Sequence, residues 1–214
     1  MRMNKLLCDK VAMEELLAEL NSEFDDAEGW IRIVDADWFA DDLKIKLSVL
    51  INDESEPDLW QLTCSGVVEE SICSESFDSI YVLGESALLK PYSEEHADLM
   101  FADNSCDPAQ LLGIICSCCV EVFGRLEYVH RFLNQRATLE GIVSSKYGLL
   151  GRFPLSLAKR IEESFERLPI RVNVLDPRMP RCWTGTEFVP YPKLMVLELG
   201  NSFVIGEGFN AVRA

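Results

Sequence analysis

The chain has 214 residues, 48% hydrophobic and 26% charged, which fits a folded globular protein and excludes general disorder. Its formal charge is −16, and a field of that sign repels nucleic acid and anionic membranes while speeding encounter with a basic partner. The longest uncharged apolar run, Leu111 to Val120, is about half of the roughly 20 residues needed to cross a bilayer.

The acidity is uneven. Residues 1–110 hold 26 Asp and Glu against 7 Lys and Arg, whereas residues 111–214 hold 10 against 13. At this length a chain can bury a core without cross-links, so the eight cysteines are read as reduced thiols of a cytoplasmic protein. In the opening "MRMNKLLCDKVAMEELLAEL", Asp9, Lys10, Glu14 and Glu15 interrupt any signal-peptide core, and Leu6, Leu7, Met13, Leu16, Leu17 and Leu20 recur at helical spacing. The pattern predicts an amphipathic helix over residues 4–20.

Strand-like segments follow in quick succession. Trp30–Val34, Leu43–Ile51, Leu59–Cys64, Val67–Ile72, Ser79–Leu83 and Asp98–Phe101 are each bounded by Asp, Asn, Ser, Gly or Pro clusters. "LKIKLSVLI" sets Leu43, Ile45, Leu47, Val49 and Ile51 against Lys44, Lys46 and Ser48, the alternation of a half-buried antiparallel strand. A long helix is expected from Pro108 to Asn134, with Asp107 as N-cap. Shorter helices follow over Thr138–Tyr147 and Leu155–Leu168. "IRVNVLD" reads as a strand, "DPRMPRCWTGTEFVPYP" as a Pro-rich loop, and "KLMVLELGNSFVIGEGF" as two strands about a Gly200-Asn201 turn. The order predicts a single α+β domain of 1–214, with a largely antiparallel or mixed sheet and the long helix packed on one face. Within it, an acidic, strand-rich half over 1–106 precedes a helical and then hairpin-bearing half over 107–214.

Three of the cysteines crowd into "GIICSCCVEVFG". On a 3.6-residue period, Leu111, Ile115, Cys118, Cys119, Val122, Leu126, Val129 and Leu133 share one apolar stripe, and Cys116 lies on its flank. A zinc site needs about four converging ligands, which C-x-C-C within one helix cannot supply. His130 lies roughly 16 Å along the helix from Cys119. Adjacent helical cysteines also lack the geometry of a useful disulfide. The cluster is therefore read as core, with no metal and no cofactor.

Only His96 and His130 can move protons near neutral pH without a large perturbation. Cys64, before Gly66 in "LTCSG", is the best-placed nucleophile if His96 meets it in space, which defines one candidate chemistry, a small cysteine-dependent or hydrolytic enzyme. "DADWFADD" supplies Asp35, Asp37, Asp41 and Asp42. An EF-hand reading fails because its fifth and sixth places hold Phe39 and Ala40. The run reads instead as a negative contact patch around Trp38. "LGNSFVIGEGF" does not match a dinucleotide fingerprint, and the chain has no Walker A loop, H-E-x-x-H or G-x-S-x-G.

The runs "LWQLTCSGVVEESI", "FDSIYVLGESALLKPYSEEHADLMF" and "FGRLEYVHRFLN", with the terminal "LGNSFVIGEGF", resemble a family of uncharacterised bacterial proteins. The resemblance implies a continuous unit without an assigned activity. Members tend to carry His-Pro where this chain has Ser86-Ala87, and a histidine where it has the cysteine cluster; those departures argue against an essential histidine at either place. Together these features favour a non-enzymatic cytoplasmic binding protein whose acidic half engages a basic protein, in the manner of an immunity protein. The other two readings are the Cys64/His96 enzyme and a homodimeric structural component.

Overall fold

A computed structural model describes residues 13–22, 24–25, 27–53, 56–73, 76–124 and 129–214. The first part of the expected N-terminal helix, with Cys8, and residues 125–128 of the expected long helix lie outside the described residues. In chain order the elements are α1 over 13–22, then β1 (Trp30–Phe39), β2 (Asp42–Leu50), β3 (Asp58–Ser65), β4 (Glu69–Ser71), β5 (Ser76–Phe77) and β6 (Ile80–Leu83). A 3₁₀ turn (Ala87–Leu89) leads into α2 (Lys90–Ser93), β7 (His96–Ala102), α3 (Pro108–Phe123), α4 (Val129–Phe132) and α5 (Leu139–Ser144). Then come β8 (Gly148–Pro154), α6 (Leu155–Phe165), β9 (Arg171–Arg178), β10 (Arg181–Trp183), β11 (Phe188–Pro190), β12 (Met195–Leu199), β13 (Ser202–Gly206) and β14 (Gly208–Arg213).

The architecture is α+β, and every strand pairing among the described residues is antiparallel. The expected single unit resolves into two compact ones. The first comprises residues 1–86 and 192–214, the second residues 87–191. The C-terminal strands thus return to the N-terminal segment, a nonlocal closure that no local pattern announces.

The first unit holds a five-stranded sheet, β14-β3-β2-β1-β5, and a four-stranded sheet, β4-β13-β12-β6. The alternation in β2 buries Leu43, Ile45, Leu47 and Val49, and each fully buried side chain of this size contributes about 1.5–3 kcal/mol. These pack with Trp60, Leu62 and Cys64 of β3, Leu197, Leu199 and Val204 of the second sheet, and Met13 and Leu16 of α1. The β12–β13 hairpin turns at Gly200, whose φ of 59° lies in the left-handed region that glycine enters without strain. Strand β14, absent from the sequence reading, pairs with β3 from Gly208–Ser65 to Arg213–Trp60.

In the second unit the sheet order is β8-β7-β9. The expected long helix is shorter than its apolar stripe: α3 begins as foreseen, with the Asp107 carboxylate accepting from the Gln110 N–H at 3.0 Å, and stops at Gly124. Gly124 adopts φ 71° and donates its N–H to the Val120 carbonyl, the left-handed C-cap that ends many helices. The chain resumes as α4. It is α6 that packs against all three strands, while α3 packs chiefly on α6. The start of α6 is capped from a distance, because the Glu94 carboxylate accepts from the Ser156 N–H and, at 2.8 Å, from its hydroxyl. The Leu155 N–H donates to the Glu95 carbonyl at 2.7 Å. Strand β8 fills the stretch between the two short helices expected over Thr138–Tyr147 and Leu155–Leu168, to which the sequence reading gave no element, and the Pro-rich loop contains the β10–β11 hairpin.

Candidate interaction surface

The acidic run at Asp35–Asp42 lies on the β1–β2 hairpin. The ladder runs from Trp30–Leu50 to Phe39–Asp42, with one irregularity between Ile33 and Asp35 where Val34 is the extra residue. Such a bulge exchanges the faces that later residues occupy. Beyond it, Ala36 pairs with Ile45 and Trp38 with Leu43, while Asp35, Asp37 and Phe39 pair with Lys46, Lys44 and Asp42. Since cross-strand partners share a face, Trp38 lies on the core side of the sheet at its distal end, and Asp35, Asp37 and Phe39 on the outer side.

The expected patch around Trp38 is thereby split between two faces that meet only at the tip. Trp38 is 53% and Phe39 67% exposed. Ala40, at φ 54°, and Asp41 form the turn between them. Lower down, Lys46 Nζ sits 2.9 Å from the Asp35 carboxylate. That hydrogen bond first, then the charges of Asp35 and Asp37, raise the lysine's pKa, although an exposed pair of this kind contributes little to stability. Lys44 lies 4.3 Å over the Phe39 ring, a cation–π contact. Asp35 is thus engaged within the sheet, and the tip proper is Asp37, Trp38, Phe39, Asp41 and Asp42. Phe39 escaped the sequence reading, although its place next to Trp38 at a hairpin end was a signal for it.

Charge follows the division into units. By composition the first unit carries 23 Asp and Glu against 8 Lys and Arg, and the second 13 against 12. The sequence boundary near residue 110 therefore overstates the segregation, because residues 87–110, with five Asp and Glu against one Lys, belong to the second unit, while residues 192–214 add two charges of each sign to the first.

Cys64 and His96 fall in different units. Cys64 is completely buried, and burial first, then the nearby Asp42 charge, push its thiol up to about 12. A cysteine nucleophile requires the thiolate and access to it; Cys64 has neither. His96 opens β7, and burial, followed by the Arg152 charge, lowers its pKa. Cys118 and Cys119 are buried as their helical phase required, and Cys116 is half-buried. The Cys118 sulfur lies 3.3 Å from the Ser164 hydroxyl and 3.8 Å from the Arg160 carbonyl, so the thiol faces α6. Among the described residues no three His, Cys, Asp or Glu side chains gather as a metal site, and no helix is long and apolar enough to cross a membrane.

Residues read as loop supply a second exposed aromatic pair. On β10–β11, Arg181 pairs with Pro190 and Trp183 with Phe188, and the two aromatic rings, 57% and 59% exposed, have centroids 5.0 Å apart.

No protein-family model, curated protein or solved structure matches the chain.

Proposed function

We propose that this chain is a cytoplasmic binding protein that recruits a basic protein partner through its acidic first unit, with the β1–β2 tip as the point of contact. The observation that carries the reading is charge segregation: an excess of 15 acidic residues lies in one unit and an excess of one in the other. Such a field raises the association rate for a cationic surface and discourages anionic ones. The tip adds what charge alone does not. Trp38 and Phe39 offer large, stiff apolar area among Asp37, Asp41 and Asp42, the combination from which interface anchors are built. An immunity-type role, in which an acidic protein blocks a basic toxin, fits these features.

The test is affinity capture from a lysate of the source cell with the full chain and with its Asp37→Asn/Asp41→Asn/Asp42→Asn variant. The expected result is a defined basic protein retained by the parent at low salt, released by added salt, and retained poorly by the variant. Equal retention by both proteins, or retention insensitive to salt, overturns the proposal.

A further inference from the structure

We propose that the open edge of β1 over Asp35–Phe39 takes up an extended segment of the partner as an added antiparallel strand, one in which Lys or Arg alternates with apolar residues. This rests on the recruitment reading above and specifies how the partner is held. Strand β1 pairs with β2 from Trp30 to Phe39 apart from the bulge at Val34, but β5 covers its other edge only at Ile31 and Arg32. Among the described residues no strand pairs with that edge from Asp35 to Phe39. The two-residue turn at Ala40 and Asp41 makes Phe39 and Asp42 the hydrogen-bonded pair that closes the hairpin. Bonded and non-bonded pairs alternate along an antiparallel ladder. Asp37 and Asp35 therefore bond to β2, while Ala36 and Trp38 turn their N–H and C=O groups to the open edge. Free main-chain groups in such a row are the template on which an extended segment is added.

The side chains decide which segment fits. Residues of an added strand share a face with those they stand opposite. On the core side those are Ala36, small, and Trp38, half of whose surface is exposed, so apolar side chains there would cover the indole. On the outer side they are Asp35, Asp37 and Phe39. Lys46 bonds Asp35, whereas Asp37 acts on that lysine through its charge alone, which leaves the Asp37 carboxylate for an incoming cation. Lys44 and Lys46 stand on β2, one strand farther away and about 10 Å from the added strand at the usual spacing, and Lys44 is turned over the Phe39 ring.

A second copy of this chain is the wrong occupant. Antiparallel pairing of two such edges about Ala36 would set Asp35 opposite Asp37 of the second copy, and pairing about Asp37 would set that residue opposite itself. Like charges directly opposite are destabilising, so the edge rejects its own kind and accepts a basic segment. The antiparallel sense follows the sheet, in which every pairing among the described residues is antiparallel.

The test uses the full chain and three capped peptides at about 50 mM salt: Thr-Lys-Val-Lys-Val-Lys-Thr, the same peptide N-methylated at both valines, and the same peptide N-methylated at its first and last lysines. All three carry equal charge. In the proposed register the valines lie opposite Ala36 and Trp38 and exchange main-chain hydrogen bonds with them, whereas the lysine N–H groups point away from β1. Binding is read from amide chemical shifts by NMR at up to about 1 mM peptide. The expected result is that the plain peptide shifts the Ala36 and Trp38 amides, that valine methylation weakens binding about tenfold or more, and that lysine methylation changes it by less than about threefold. Equal binding of the two methylated peptides, a greater loss on lysine methylation, or no binding of the plain peptide overturns strand addition. Failure of the recruitment reading shows elsewhere, in the capture comparison of the parent with its Asp37→Asn/Asp41→Asn/Asp42→Asn variant, so the two failures are distinguishable.

Discussion

Cys64 should be among the slowest thiols of the folded protein to alkylate, although its place in the sequence suggested a nucleophile. At pH 7.5 an ordinary thiol of pKa about 8.5 is roughly one-tenth thiolate. With Cys64 pushed up to about 12, the thiolate fraction at that pH is on the order of 3 in 100,000, about three orders of magnitude lower. Complete burial in the core of the first unit slows reaction further, because reagent reaches the sulfur only through opening of the sheet. The assay is iodoacetamide labelling of the native protein with mass mapping of each cysteine over time. The half-buried Cys73 and Cys182 serve as internal references. The expected order puts both references well ahead of Cys64. Labelling of Cys64 at the rate of either would refute the assignment of this residue to the core and restore the enzymatic reading.

Other consequences can be checked by mutation. Gly151→Ala would set a Cβ 2.1 Å from the Phe132 carbonyl oxygen and 2.9 Å from Leu133 Cα; since the obstacle is backbone, a loss of about 1–3 kcal/mol or more is expected. In a unit of this size each kcal/mol lowers Tm by about 4–8 °C, readable by calorimetry. Phe153→Ala removes a fully buried ring and should cost about 3–5 kcal/mol in urea unfolding. Deleting Val34 leaves Asp37 opposite Lys44 and Trp38 opposite Leu43 in an uninterrupted ladder. That protein should keep its sheet signal in circular dichroism and a Tm within a few degrees of the parent, about 1 kcal/mol or less; collapse of the sheet would contradict the facial assignment of the tip.

What the sequence disclosed was what local physics governs. Asp107 and Pro108 marked the start of α3 because capping involves only neighbouring residues. Strand β2 was legible because one of its faces is buried and the other wet. The Gly200 turn stood out because a left-handed residue there favours glycine. The misses share a cause, since each depends on partners distant in the chain or on one residue overriding a pattern. The stripe through Leu126, Val129 and Leu133 concealed the stop at Gly124. Strand β8, with Gly148 and Gly151 in it, is made by pairing with β7, and Gly151 is required by the close approach of Phe132, which no local preference records. In the candidate site, the residue types were readable but their faces were not: Val34 decides which way Trp38 and Asp37 point, and only the observed register reveals it. The grouping of acidic charge, by contrast, was legible in the sequence, since residues 1–86 hold 21 Asp and Glu against 6 Lys and Arg and the returning residues 192–214 add two charges of each sign.

The central claim is electrostatic recruitment, and its most direct measurement is the association rate of the full chain with the basic partner recovered by capture, followed from about 50 mM to about 500 mM salt. A steered encounter should slow by about tenfold or more across that range, with dissociation changing much less. An association rate independent of salt would contradict the account.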